Sequence, residues 1–228
     1  MNTTYWQSAA NDEAMQDEHL FIWRAMLGTI DVDLSGKRVL DAGCNRGGFL
    51  RLLADRHDIA EGMGYDPATG AIDDARRMAG QRPLRFQTGN SVPEPWRGFD
   101  VAFSHEVLYL LPDLVAHARA IHRSLRPGGV YFAVMGVHTR SPLMVEWHSA
   151  NAERLRLPPL YDVDDVITTF LDNGFEASVA QLAIGFVPIT GLGHHGEGGA
   201  LDWLTYYSNE KVLFRFTCQG DSISDESR

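Results

Sequence analysis

The sequence predicts an α/β fold: a parallel sheet covered by helices on both faces. Three observations predict it. Short β-rich runs alternate with helical stripes along most of the chain, as in parallel sheets with crossover helices. One run, FDVAFS (Phe99–Ser104), is almost continuously apolar, as a strand buried on both faces should be. The first run enters a turn containing Gly43 and Gly47, where backbone can approach a ligand closely before a helix begins. The 228 residues suffice for one domain with a substantial core.

Taken in order, a first helix is expected from about Asn11 to Leu27, with Asn11 as its cap and Gly28 as its stop. KRVLDAGC supplies a strand from Arg38 to Asp41. GGFLRLLADR follows as a helix with Leu50, Leu53 and Ala54 on one face. GMGYD is a second strand ending at Asp66, and Ala71, Ile72, Ala75, Met78 and Ala79 make the next helical stripe. Strands are expected at Leu84–Thr88 and Phe99–Ser104, then a helix from Pro112 to Leu125 that stops at Arg126-Pro127-Gly128-Gly129. VYFAVMG is the fifth strand. Asp162 caps a helix carrying Val166, Ile167, Phe170 and Leu171, which Asn173-Gly174 ends. Phe175–Ile184 and Lys211–Cys218 are the last two strands. Residues 137–161 and 187–210 are long connections outside the alternation, and residues 219–228 a polar tail.

Charge narrows the function. Thirty acids against 20 bases give a formal net charge of −10. Binding to nucleic acid or to an anionic membrane surface needs a basic face, and the basic residues here are scattered. No apolar run approaches bilayer-spanning length, and the N-terminus lacks the basic-then-apolar pattern of a secretory signal. Cys44 and Cys218 make no framework of spacings. The expectation is an acidic, soluble, cytoplasmic protein with no nucleic-acid and no membrane partner.

The most specific signal is the order of strand, turn, helix, strand and acid. VLDAGCNRGG puts Asp41 at a strand end, followed by Gly43, Asn45 and Gly47, and Asp66 lies nineteen residues beyond Gly47. In an α/β sheet such an acid stands beside the same crevice, where it accepts the hydroxyls of a ribose.

With D-A-G-C-N-R-G, G-Y-D, G-N-S and L-R-P-G-G in order, the chain resembles the class I S-adenosylmethionine-dependent methyltransferases of the small-molecule type, strongly from Lys37 to Val137 and more loosely beyond. The resemblance implies a Rossmann-like fold with seven mostly parallel strands and an antiparallel last strand. It implies a single methyltransferase domain over residues 1–218, with 1–30 as a helical cap and 137–161 and 187–210 as substrate-side insertions. It also implies S-adenosylmethionine as cofactor: Asp41 near the methionine ammonium, the backbone of Gly43, Cys44, Asn45 and Gly47 along methionine and ribose, and Asp66 on the ribose hydroxyls. Pro67 would cover the adenine, Asn90 and Ser91 would reach its edge, and Ser104 and His105 would flank the methionine moiety. Asn45 and Asn90 depart from the family's usual glycine and aspartate. Asn tolerates left-handed backbone, and its neutral amide still accepts a hydrogen bond.

A NAD-binding domain is the competing reading of the turn. Asp41 would repel its pyrophosphate but attract an ammonium, which favours the methyl donor. Methyl transfer mainly requires in-line positioning, and a general base adds about 10²–10⁴-fold where the acceptor must lose a proton. His105 is the best-placed base. His138, and His194 and His195 in GLGHHGEGG, are further substrate-side candidates; no third ligand at metal spacing accompanies that pair, so no metal is expected. Tyr109 walls the pocket or simply packs, and the N-terminal helix packs or, with Tyr5 and Trp6, acts as a lid. His19, His57, His117 and His122 are expected to be solvated. The expected reaction is methylation of a small molecule. A protein or tRNA substrate, a non-catalytic S-adenosylmethionine-binding module and an NAD-dependent oxidoreductase are the alternatives. Oligomeric state is not legible.

Overall fold

The computed structural model describes residues 9–188 and 198–220. Seven strands are present: β1 Arg38–Ala42, β2 Glu61–Asp66, β3 Leu84–Thr88, β4 Phe99–His105, β5 Leu125–Met135, β6 Phe175–Gln181 and β7 Val212–Cys218. They form one sheet in the order β3-β2-β1-β4-β5-β7-β6. The first five pair in parallel, and β7 runs antiparallel to both β5 and β6, as the resemblance implied. The order reverses beside β1 and β4, so their carboxyl ends open the crevice in which ligands of such sheets sit.

The helices are α1 Ala9–Thr29, α2 Gly48–Arg56, α3 Thr69–Ala79, α4 Leu114–Ser124, α5 Pro142–Leu155, α6 Val163–Leu171 and α7 Ala200–Thr205. Strand alternation sorts them between two faces. Phe103 turns to Phe49 of α2, which meets Trp23 of α1. Tyr131, which pairs with Ala102 and so faces the other way, meets His117 of α4 and Phe170 of α6. Phe170 stacks on Phe216 with ring centroids 3.9 Å apart, closing the core under β7.

Several boundaries differ from expectation for local reasons. The first helix already begins at Ala9, so Asn11 lies inside it and is not the cap. The α4 helix starts at Leu114, because the Asp113 carboxylate accepts from Ala116 N and caps it. It ends at Ser124, and Arg126-Pro127-Gly128-Gly129 bulges out of β5: Phe99 pairs with Leu125, Val101 with Val130. Pro127 has no N–H to give the ladder, and Gly128 takes φ 73°. Of the stripe along α3, Met78 is only half-buried. The two long connections contain α5 and α7, which the alternation did not reveal. No helix among the described residues is long and apolar enough to cross a membrane.

Candidate functional site

The site begins where β1 ends. Gly43, Asn45 and Gly47 take φ values of 77°, 45° and 71°, so the turn alternates through left-handed backbone. A Cβ on Gly43 would lie 2.5 Å from Val107 Cγ2, and one on Gly47 would lie 2.6 Å from the Phe86 ring. Both conformation and space therefore exclude side chains at these two positions. The amides of Gly43 and Cys44 donate to Tyr65 O at 2.9 and 3.0 Å, tying the turn to β2.

The same turn holds Asp66. Its carboxylate accepts from Asn45 N at 3.0 Å and from Ala68 N at 2.8 Å. Those two bonds fix its orientation, and a carboxylate has further lone pairs to offer a ligand hydroxyl. Thr88 pairs with Asp66, and Gly89 N donates to Asp66 O at 3.0 Å. Asn90 and Ser91 therefore leave the sheet beside Asp66, exposed, while Pro67 is half-buried next to it. Cys44 is buried in the turn, where burial and then Asp41 and Asp66 push its thiol up, away from the reactive thiolate.

Asp41 is the electrostatic centre. It is only 4% exposed, and burial first, then Asp66, raises its carboxyl to about 8. No basic side chain offsets that shift. A buried carboxyl in this state gains most from a cation placed beside it.

At β4 the alternation separates two residues that the sequence placed together. The Ser104 hydroxyl is fully buried on the α4 face, 2.6 Å from Tyr131 Oη, which also contacts His117 Nε2 at 3.0 Å. Its side chain is spent in that network and turned away from the glycine turn. His105 points the other way. Its ring meets His19 at a centroid distance of 4.5 Å and Trp23 at 6.4 Å, and its Nε2 is buried without a hydrogen-bond partner. Burial, then His19 and Lys211, hold it well below the ordinary histidine range, so it is neutral at pH 7.

Glu106 follows in left-handed conformation, φ 56°. Its carboxylate accepts from Gly136 N at 3.2 Å and pairs with Lys211 Nζ. Lys211 is 2% exposed and lies 4.8 Å from the Tyr206 ring centroid. This buried pair was not expected; a charged residue starting an apolar strand, Lys211 before Val212, is the signal that pointed to it.

His138 is buried and bonded through both ring nitrogens. Its Nε2 lies 2.7 Å from Glu210 O, and its Nδ1 accepts from Arg140 N at 3.2 Å, so both nitrogens hold the connection in place. His194 and His195 lie outside the described residues, as do Tyr5 and Trp6. Tyr109 is buried against Trp147, rings 6.1 Å apart, which is the packing reading. His117 is buried and bonded, and His19 packs on His105; neither is the solvated residue expected from its neighbours. Among the described residues no cluster of His, Cys, Asp or Glu could hold a metal ion.

Comparison with known proteins adds the following. The methyltransferase domain family matches residues 8–179. A fatty-acid O-methyltransferase of Mycolicibacterium smegmatis is 33% identical over 123 residues, 53% of this chain and 44% of that protein. A ubiquinone biosynthesis O-methyltransferase of Ruegeria pomeroyi is 36% identical over 120 residues, 48% of each. The chain thus spans about half the length of the curated relatives it matches. Among solved structures, the methyltransferase in a Haloferax volcanii complex with the Trm112 methyltransferase activator superposes with a TM-score of 0.81 at 21% identity, covering 94% of this chain and 96% of that one. Geranyl diphosphate C-methyltransferase of Streptomyces coelicolor A3(2), in complex with Mg2+, geranyl-S-thiolodiphosphate and S-adenosyl-L-homocysteine, gives 0.68 at 16% identity over 86% and 75%.

Proposed function

The chain belongs to the methyltransferase domain family, whose methyl donor is S-adenosylmethionine, and from that premise we propose that it methylates a small-molecule acceptor. The observation that carries the cofactor half is the pair of acids at one crevice. Asp41 is buried and uncompensated, and Asp66 is oriented by two backbone amides. An ammonium suits the first and a ribose diol the second, whereas a pyrophosphate would meet repulsion from both.

These residues fit the cofactor. Asp66 would hold the ribose, Asp41 the ammonium, and the backbone of Gly43 to Gly47 the chain between them. Pro67, Asn90 and Ser91 would border the adenine. When bound, S-adenosylmethionine supplies an electrophilic methyl group on a sulfonium. What remains for the protein is to seat the acceptor in line, exclude water, and accept a proton where the acceptor carries one. We assign that role to His105, on the crevice face of β4. The formal charge of −10 favours an acceptor that is not a polyanion.

Calorimetry tests the reading. S-adenosylhomocysteine should bind the wild-type chain, and Asp66→Ala should weaken binding about ten- to hundredfold, the loss expected for hydrogen bonds to a charged group. Tight binding of NAD in its place would contradict it.

A further inference from the structure

Glu106 has a backbone conformation that its own side chain disfavours. Among the described residues, three non-glycine positions take a positive φ: Asn45, Glu106 and Arg156. Asparagine visits left-handed backbone routinely, and Arg156 closes α5, where helices commonly end in that conformation. Glu106 has neither reason. It follows directly on β4 with φ 56°, a region from which hard-sphere contacts drive most residues. Such strain persists only where the surroundings hold it, and it gathers at functional sites.

The holding groups come from two other strands. The Glu106 carboxylate accepts from Gly136 N, one residue beyond β5, and pairs with Lys211 Nζ, one residue before β7. Lys211 is itself fixed: its amide donates to Tyr206 O at 3.0 Å, and its ammonium lies 4.8 and 5.5 Å from the Tyr206 and Tyr207 ring centroids. The Tyr206 hydroxyl occupies the space that a Cβ on Gly136 would need. Carboxylate, cation, amide and ring therefore form one packed block at the ends of β4, β5 and β7.

The residue after Glu106 shows what this achieves. Val107 Cγ2 and Cγ1 stand 2.5 and 3.4 Å from the place of a Cβ on Gly43, so Val107 fills the room beside the first glycine of the turn. A different φ at residue 106 would swing Val107 away and leave that side of the turn unsupported.

We infer that Lys211 is a positioning residue for the cofactor turn, acting through Glu106: the ion pair holds residue 106 left-handed and so keeps Val107 seated on Gly43. The inference rests on the methyltransferase reading above, in which that turn lines S-adenosylmethionine. Neither charged side chain need touch the cofactor. The left-handed form is the one that binds, and affinity falls with its population.

The test compares two double variants, Glu106→Ala with Lys211→Met and Glu106→Gly with Lys211→Met. Both lack the two charges, and they differ by one methyl group. S-adenosylhomocysteine is titrated into each by calorimetry, at a temperature where circular dichroism shows both folded. Left-handed backbone is disfavoured about five- to thirtyfold for alanine, whereas glycine adopts it about half the time. The alanine variant should therefore bind about five- to thirtyfold more weakly than the wild type, and the glycine variant within about threefold of it. A pair that only stabilised the fold would leave the two folded variants with the same affinity. A glycine variant that binds no tighter than the alanine one, or an alanine variant that binds like the wild type, overturns the inference. If either variant fails to fold, Glu106→Gln with Lys211→Met decides: weaker binding than the wild type supports the inference, and wild-type affinity overturns it. Failure of the wild type to bind S-adenosylhomocysteine overturns the methyltransferase reading instead, and the inference with it.

Discussion

Asp41 shows how much one residue can determine. A carboxyl raised to about 8 is largely protonated at pH 7 in the free protein, and a neighbouring ammonium favours its ionised form. Binding therefore releases a proton, and affinity for S-adenosylhomocysteine should rise by up to about tenfold per pH unit between pH 6 and 8. Calorimetry across that range checks it, and Asp41→Asn should flatten the profile. The stability linked to the protonated form is complete below the unfolded value and lost as pH rises through about 8, so Asp41→Asn should also raise the melting temperature of the cofactor-free protein most at pH 8. The positions of Asp41 and Asp66 at the ends of their strands and the left-handed Asn45 between them were legible in the sequence, because short-range spacing and backbone preference fix them. The protein partners of Ser104 and His138 were not legible for the opposite reason: which face a side chain takes and which carbonyl it meets depend on residues far along the chain. Trp23 and His19 belong to the same class, joined to His105 only by the packing of α1.

At the scale of elements, the passage from β1 to α2 is the part the sequence describes most fully. Gly43 has φ 77° and no room for a Cβ beside Val107, so Gly43→Ala should destabilise the chain by about 1–3 kcal/mol and weaken cofactor binding. Gly185→Ala, where nothing lies within 4 Å, should do neither; thermal melts and calorimetry separate the two. The strands from β1 to β4 were legible as short β-rich runs between helical stripes and turn residues, near-continuously apolar only in β4. The α5 helix was not: Met144 and Leu155 are its buried residues, too sparse for a stripe. Its signal was Pro142 at the first helical turn after Ser141. The α7 helix, six residues from Ala200, is too short to show a period.

At the scale of the molecule, the site is held by an ion pair that joins distant parts of the chain. Glu106 at the end of β4 binds Gly136 N after β5 and Lys211 Nζ before β7. Removing one member of a buried pair strands the other, so Lys211→Met should cost about 3–5 kcal/mol, and Glu106→Gln with Lys211→Met should recover much of it. Denaturant unfolding of the two variants distinguishes these outcomes. The antiparallel last strand followed from the family resemblance, whereas the sheet order, with β7 inserted between β5 and β6, was not legible, since pairing is a property of the assembled sheet. Central to the proposed function is a crevice between β1 and β4 that binds S-adenosylmethionine through two acids. A crystal structure with S-adenosylhomocysteine tests it most directly. The ribose hydroxyls should lie within hydrogen-bond distance of the Asp66 carboxylate and the amino group beside Asp41; a ligand bound elsewhere, or a ribose that leaves Asp66 untouched, would contradict the proposed function.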